Sequence, residues 1–151
     1  MKRILPVCVC CALALSAASC SYLSLVRIVT PTVTVEQAVQ KKEDILASNN
    51  PAYQQMVTDS LRRTIVVLKD VVVSDVIVSP NIDYSYCVVV TVPTSKGDVD
   101  CYIYSSEIRT ISKIEKGKTK INAIGRFGRF FSLLDSQFTK IDMLESDITI
   151  L

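Results

Sequence analysis

No histidine and no tryptophan occur in the 151 residues, and glycine occurs only four times. Without histidine, the commonest general base and a common metal ligand are missing. There is no G-x-S-x-G elbow, no glycine-rich phosphate loop and no H-E-x-x-H helix. Long apolar runs are also missing. The leading one, Ile4–Leu15, is about a dozen residues long and contains Pro6, short of the roughly 20 that a spanning helix needs. Charge of one sign is not in excess either, with 17 Lys and Arg against 15 Asp and Glu. These gaps point away from an enzyme, a metal site and a cofactor. Carboxylate groups do exist, at Asp98/Asp100 and Asp142/Glu145/Asp147. Asp98 and Asp100 stand two apart beside a turn, so they share one strand face, where charge keeps an exposed edge soluble.

What is present begins with a leader. Met1, Lys2 and Arg3 form a basic start, Ile4–Leu15 an apolar stretch, and Ser16, Ala17, Ala18 and Ser19 a run of small side chains ending at Cys20. The stretch is too short to span a bilayer but suits the apolar core of a secretory signal. The pattern from Leu15 to Cys20 resembles the lipobox of bacterial lipoproteins. Ala17 and Ser19 stand where the usual box has leucine and Gly or Ala, a looser form that resembles spirochaete lipoproteins. The resemblance implies that residues 1–19 are a signal peptide. Cys20 then carries a diacylglyceryl thioether as the mature N-terminus, and this covalent lipid is the one attached group. Acyl burial is worth ~0.8 kcal/mol per CH₂, and two or three chains hold a protein stably where one does not. The alternative is that Cys20 is one more leader cysteine, with the cut elsewhere.

Cleavage changes two balances. Loss of Lys2 and Arg3 leaves 15 basic against 15 acidic residues, which argues against strong general affinity for nucleic acid or anionic lipid. Of six cysteines, Cys8, Cys10 and Cys11 leave and Cys20 is lipidated, so Cys87 and Cys101 remain. In an exported compartment they are a candidate disulfide; the alternative is two buried free thiols.

Residues 20–33 read as an extended tether and 34–151 as one domain. Thr34 is an N-cap with Gln37 completing a capping box, predicting a helix over 35–47. Asn50 caps a second helix with Pro51 at its first position and Ala52, Tyr53, Met56, Val57 and Leu61 on its buried face. From Thr64 to Val78 the valine-rich run predicts one long strand, bulged near Lys69–Val73. Strands follow at 86–92 and 99–105, then a short helix with Ile108, Ile111 and Ile114, then strands at 118–127 and within 138–150. The fold class is mainly β with N-terminal helices. The order β-β-β-α-β-β after two helices is the plan of the five-stranded OB Greek-key barrel.

The body also resembles the OB-fold lipoproteins grouped as "tRNA_anti-like". The resemblance rests on Asn49 to Tyr53, the long strand Thr64 to Val78, Cys101 to Ile103, and the step Ile114 to Lys118. It implies an OB barrel over residues 34–151 behind the lipidated leader. Such families carry glycine where the first strand bends, and this chain has none between residues 51 and 96.

Two features are candidates for binding. If Cys87, Val89, Val99, Cys101 and Ile103 point inward, Tyr84, Tyr86, Tyr102 and Tyr104 gather outside on the second and third strands. That face binds oligonucleotides and oligosaccharides in OB-folds. The alternative, which we favour, packs these tyrosines beneath the N-terminal helices. The second feature is "GRFGRFF", whose Arg126, Phe127, Arg129 and Phe130 combine cations with rings, a mixture that suits single-stranded nucleic acid. The alternative, again favoured, pairs these charges with the acidic last strand and uses Gly125 and Gly128 for a barrel bend. The expectation is a lipid-anchored, non-catalytic envelope lipoprotein. It binds a protein or glycan partner, or serves assembly, on the periplasmic side of a membrane. Ser21 is not the aspartate that retains some enterobacterial lipoproteins on the inner membrane, which points to the outer one. Alternatives are a single-stranded nucleic-acid-binding OB module and a purely structural or antigenic surface lipoprotein.

Overall fold

The computed structural model describes residues 30–131 and 139–151. The expected signal peptide 1–19, Cys20 and most of the expected tether lie outside the described residues. One compact unit spans Pro31–Leu151. It begins with a two-residue strand β1 (Thr32–Val33), then helices α1 (Val35–Ala47) and α2 (Pro51–Arg62). Strands β2 (Ile65–Val78), β3 (Tyr86–Thr94) and β4 (Gly97–Tyr104) follow, then helix α3 (Ile108–Ile111) and strands β5 (Lys120–Phe131) and β6 (Thr139–Ile150).

The helix starts follow from their caps. The Thr34 hydroxyl accepts the Gln37 N–H at 3.2 Å and the Gln37 side chain accepts the Thr34 N–H at 2.9 Å. Asn50 Oδ1 accepts from Ala52 and Tyr53, with Pro51 at the first helical position. Each cap satisfies donors that the first turn leaves without helical partners. The third helix is shorter than its isoleucine spacing predicts. Only Ile108–Ile111 is helical; Ile111 is buried and Ile108 exposed.

The strands close into a barrel. The order is β1-β2-β3-β4-β6-β5, and β2 pairs with β5 to shut it. Pairing is antiparallel except between β4 and β6, which run parallel, as does the short β1 beside β2. With α3 between β4 and β5, this is the OB-like plan expected from the element order. The 14-residue β2 serves both ends of the closure, pairing β5 with its first half and β3 with its second.

A strand that changes partners must bend, and β2 bends without glycine. Its register shifts between Leu68 and Val71, where Asp70 sits at φ 50°. Asp is among the few residues that enter this left-handed region at modest cost. Its N–H donates to Asn122 Oδ1 at 2.9 Å, and its carboxylate meets Lys120 Nζ at 3.0 Å. On the far side of β5, strand β6 carries a matching device. Glu145 lies at φ 51° where the β5–β6 register shifts, and it pairs with Arg126. Glycine is needed here for proximity. A Cβ on Gly125 would collide with the Ser146 side chain and lie 3.2 Å from the Leu144 carbonyl.

The barrel interior holds Phe127, Ile103, Ile121, Ile141 and Met143, all but inaccessible. Val33, Val35, Ala38, Val39 and Leu61 from β1, α1 and α2 join the same cluster, so the helices seal the barrel core. Two expectations change here. The last tether residues belong to the body, because Val33 is buried and β1 pairs with β2. On α2 only Leu61 is buried; Tyr53 and Met56 of the expected face are exposed. The core is reached by the end of the helix, and the rest of its apolar stripe runs past the barrel.

Candidate functional site

Strands β3 and β4 are joined by the two-residue turn Ser95-Lys96, with Thr94 opposite Gly97. That turn decides which side chains share a face. It sets Val90 across from Cys101, Val88 from Ile103, Val89 from Tyr102 and Cys87 from Tyr104. Residues directly opposite lie on the same side of a sheet. Val88 and Val90 therefore enter the barrel with Val99, Cys101 and Ile103, while Cys87 and Val89 stand outside with Tyr102 and Tyr104.

This corrects the expected parity on β3 and two proposals built on it. Cys87 and Cys101 occupy opposite faces of the sheet, and both are free and buried. Burial pushes the Cys101 thiol up to about 12. Burial, helped by the charge of Asp142, does the same for Cys87. The tyrosine set divides as well. Tyr102 and Tyr104 share the outer face, and Tyr84 reaches it from the loop before β3. Tyr86 lies at the strand start opposite Val78, exposed and apart from the cluster. The tyrosines do not pack beneath the helices: their cluster contains Cys87, Val89, Ile77 and Leu144 and no residue of α1 or α2. Instead Val35, Ala38 and Val39 of α1 and Leu61 at the end of α2 pack on the barrel core.

The outer cluster is compact. Tyr104 is only 2% exposed, and its ring lies 5.5 Å from that of Tyr84 at a 39° tilt. Such offset ring pairs add ~0.5–1.5 kcal/mol beyond their buried area. Burial, then the nearby Asp142 carboxylate, raises the Tyr104 phenol well above its ordinary value, so the ring is neutral at any working pH. The Tyr84 hydroxyl accepts the Glu145 N–H at 3.0 Å. Lys140 Nζ donates to the Tyr102 hydroxyl at 3.0 Å and sits 5.1 Å from that ring's centre. That hydrogen bond holds the Lys140 ammonium above its usual range.

Asp142 and Leu144 of β6 complete the face, and neither was picked out from the sequence as part of it. Asp142 is opposite Tyr102 on the parallel neighbour. Its carboxylate accepts from Arg129 Nε at 2.8 Å. The signal for it was present as the acidic last strand, but the β4–β6 pairing is a crossover that no local pattern specifies.

The basic-aromatic stretch on β5 resolves into parts with different jobs. Phe127 is buried in the barrel, and Phe130 packs against its edge 4.8 Å from Phe127. Arg126 pairs with Glu145 at 2.9 Å and Arg129 with Asp142 at 2.8 Å. The Glu145 hydrogen bond raises the Arg126 guanidinium, and Arg126 in turn lowers the Glu145 carboxyl. The structure therefore pairs Arg126 and Arg129 with carboxylates, and the paired Arg129 also lies 5.6 Å from the ring centre of the exposed Phe131. Asp98 and Asp100 stand on the outer side of β4, where Asp100 accepts from the Thr91 hydroxyl at 2.9 Å.

Among the described residues, no three His, Cys, Asp or Glu side chains converge on a metal position. Among them, too, no helix is long and apolar enough to cross a membrane. No family model matches the chain, and no curated protein matches it.

Proposed function

We propose that the chain is a lipid-anchored, non-catalytic module of a bacterial envelope, which engages a protein or glycan partner through the outer face of β3 and β4. Cys20, behind its apolar leader and small residues, is the lipid attachment point. The barrel is the water-facing part. In OB barrels the face of the second and third strands is the ligand face, flanked by the loop between the first two. Here those strands are β3 and β4 and the loop is 79–85.

The observation that carries this reading is the pairing of Arg126 and Arg129 with Glu145 and Asp142 beside clustered tyrosines. Nucleic-acid binding draws on free cations along a backbone track. A face that offers rings while its nearest guanidinium groups are already paired suits a neutral or mixed partner better.

The test has two arms. Radiolabelled palmitate should enter the wild-type chain and fail to enter Cys20→Ser. A photo-crosslinking residue at Tyr102 should join one discrete envelope partner in intact cells, while the same residue at Lys113 should not. Label in the serine variant, or no product at Tyr102, would end the proposal. Titration with short single-stranded oligonucleotides at low salt decides against the nucleic-acid alternative if no binding appears.

A further inference from the structure

We propose that loop 79–85 is a lid over the outer face of β3 and β4, and that Tyr84 is its latch. The role of the lid in controlling access rests on the binding reading above; the opening itself does not.

The loop is bonded mainly to itself. The Ser79 N–H donates to the Ser85 carbonyl at 3.1 Å and the Tyr84 N–H to the Asn81 carbonyl at 3.2 Å. Asn81 donates its N–H to the Ser79 hydroxyl, and its own side-chain oxygen accepts from Asp83, each at 3.0 Å. A segment closed on itself in this way moves as a unit rather than by unravelling. Its tip packs on nothing, since Ile82 is 99% exposed.

Among the described residues, one hydrogen bond ties the loop to the rest of the body, from Glu145 N–H to the Tyr84 hydroxyl. Beside it is one ring contact, Tyr84 on Tyr104. Both belong to a single side chain. The Glu145 donor is available because β6 bulges there, and a bulge leaves a residue outside the ladder. When the lid lifts, water takes that N–H, so opening strands no buried donor. Local openings of this kind lie well below the free energy of global unfolding.

The cysteines give the test an internal clock. Cys87 belongs to the cluster that Tyr84 packs against, and Cys101 to the barrel core. Once exposed, either thiol regains ordinary reactivity. The full chain is treated with N-ethylmaleimide under native conditions, and modification is followed peptide by peptide. In the wild type, Cys87 should react at least about tenfold faster than Cys101. Tyr84→Phe keeps the ring and loses the hydrogen bond, so it should speed Cys87 by about three- to tenfold. Tyr84→Ala should speed it further. Neither variant should change the Cys101 rate more than about twofold, because that thiol waits for global opening. Equal rates at the two cysteines in the wild type and in Tyr84→Phe would overturn the lid, since both would then be exposed only by whole-domain unfolding. A rise at both cysteines together in Tyr84→Ala would overturn it as well. No partner enters this readout, so a failed lid leaves the crosslinking result standing, and a failed crosslink leaves the lid standing.

Discussion

Arg129 Nε donates to Asp142 Oδ2 at 2.8 Å, joining a guanidinium that is 67% exposed to a carboxylate that is 11% exposed. The two are not symmetric partners. Asp142 has given up most of its hydration to lie beside Tyr102 and needs the donor; Arg129 remains in water either way. Removing the exposed partner should therefore cost stability. Arg129→Ala should destabilise by about 1–2 kcal/mol, the range for a lost hydrogen bond to a charged group at a partly wet site. Adding Asp142→Asn should recover part of that, since a neutral amide tolerates the missing cation. Urea midpoints with an unchanged slope would measure both steps.

Helix α2 offers a contrast between two apolar residues that the sequence groups together. Leu61 is inaccessible in the barrel seal, whereas Met56 is 60% exposed. Leu61→Ala should cost about 2–5 kcal/mol through lost burial and the cavity left behind. Met56→Ala should stay within about 0.5 kcal/mol, as surface changes do. Thermal unfolding followed by circular dichroism separates the two. Equal effects would mean that α2 packs along its whole length.

The bend of β2 rests on Asp70 at φ 50°. Asp70→Gly relieves the left-handed backbone and forfeits an exposed ion pair with Lys120, so it should change stability by about 0.5 kcal/mol or less. Asp70→Val places a β-branched side chain in that region and should cost about 1–2 kcal/mol. Chemical denaturation of the two variants checks the difference, and a harmless valine would show that the bulge can relax elsewhere.

Acid should loosen the β6 bulge. Hydrogen bonding to Arg126 lowers the folded Glu145 carboxyl from its ordinary 4.5. Below that ordinary value the unfolded chain binds more protons than the folded one. The stabilisation present above pH 4.5 is therefore lost as pH falls through the folded value. Glu145 is largely exposed, so the contribution is small, a few tenths of a kcal/mol after screening. Glu145→Gln should flatten that part of the stability-against-pH curve without shifting the plateau near neutrality by more than about 0.5 kcal/mol. Native-state titration of stability between pH 3 and 6 is the measurement.

Much of the architecture was legible because its signals act over one turn or one strand. Thr34 with Gln37, and Asn50 with Pro51, set the helix starts through contacts within four residues. The valine-rich run to Val78 sets the long strand, and the order of elements leaves the OB plan as the economical closure. The site was less legible. Val88, Val89 and Val90 are all apolar and all buried, so alternation carries no information about which face of β3 looks inward.

The sequence by itself determined the order of the main helices and strands, the helix caps and the position of the bend. Only the tertiary structure decided which side of β3 enters the barrel, and with it the company of Cys87, the separation of Cys87 from Cys101, and the seat of Tyr84 on Tyr104. The physical reason is the period of a strand. A turn shorter or longer by one residue changes the register by one, and every side chain then moves to the other face. Ser95-Lys96 is a two-residue turn, and no local preference of β3 could have announced it. Asp142 joined the face for a related reason: β4 and β6 meet by a parallel crossover, and such partners are chosen by the closure of the whole barrel.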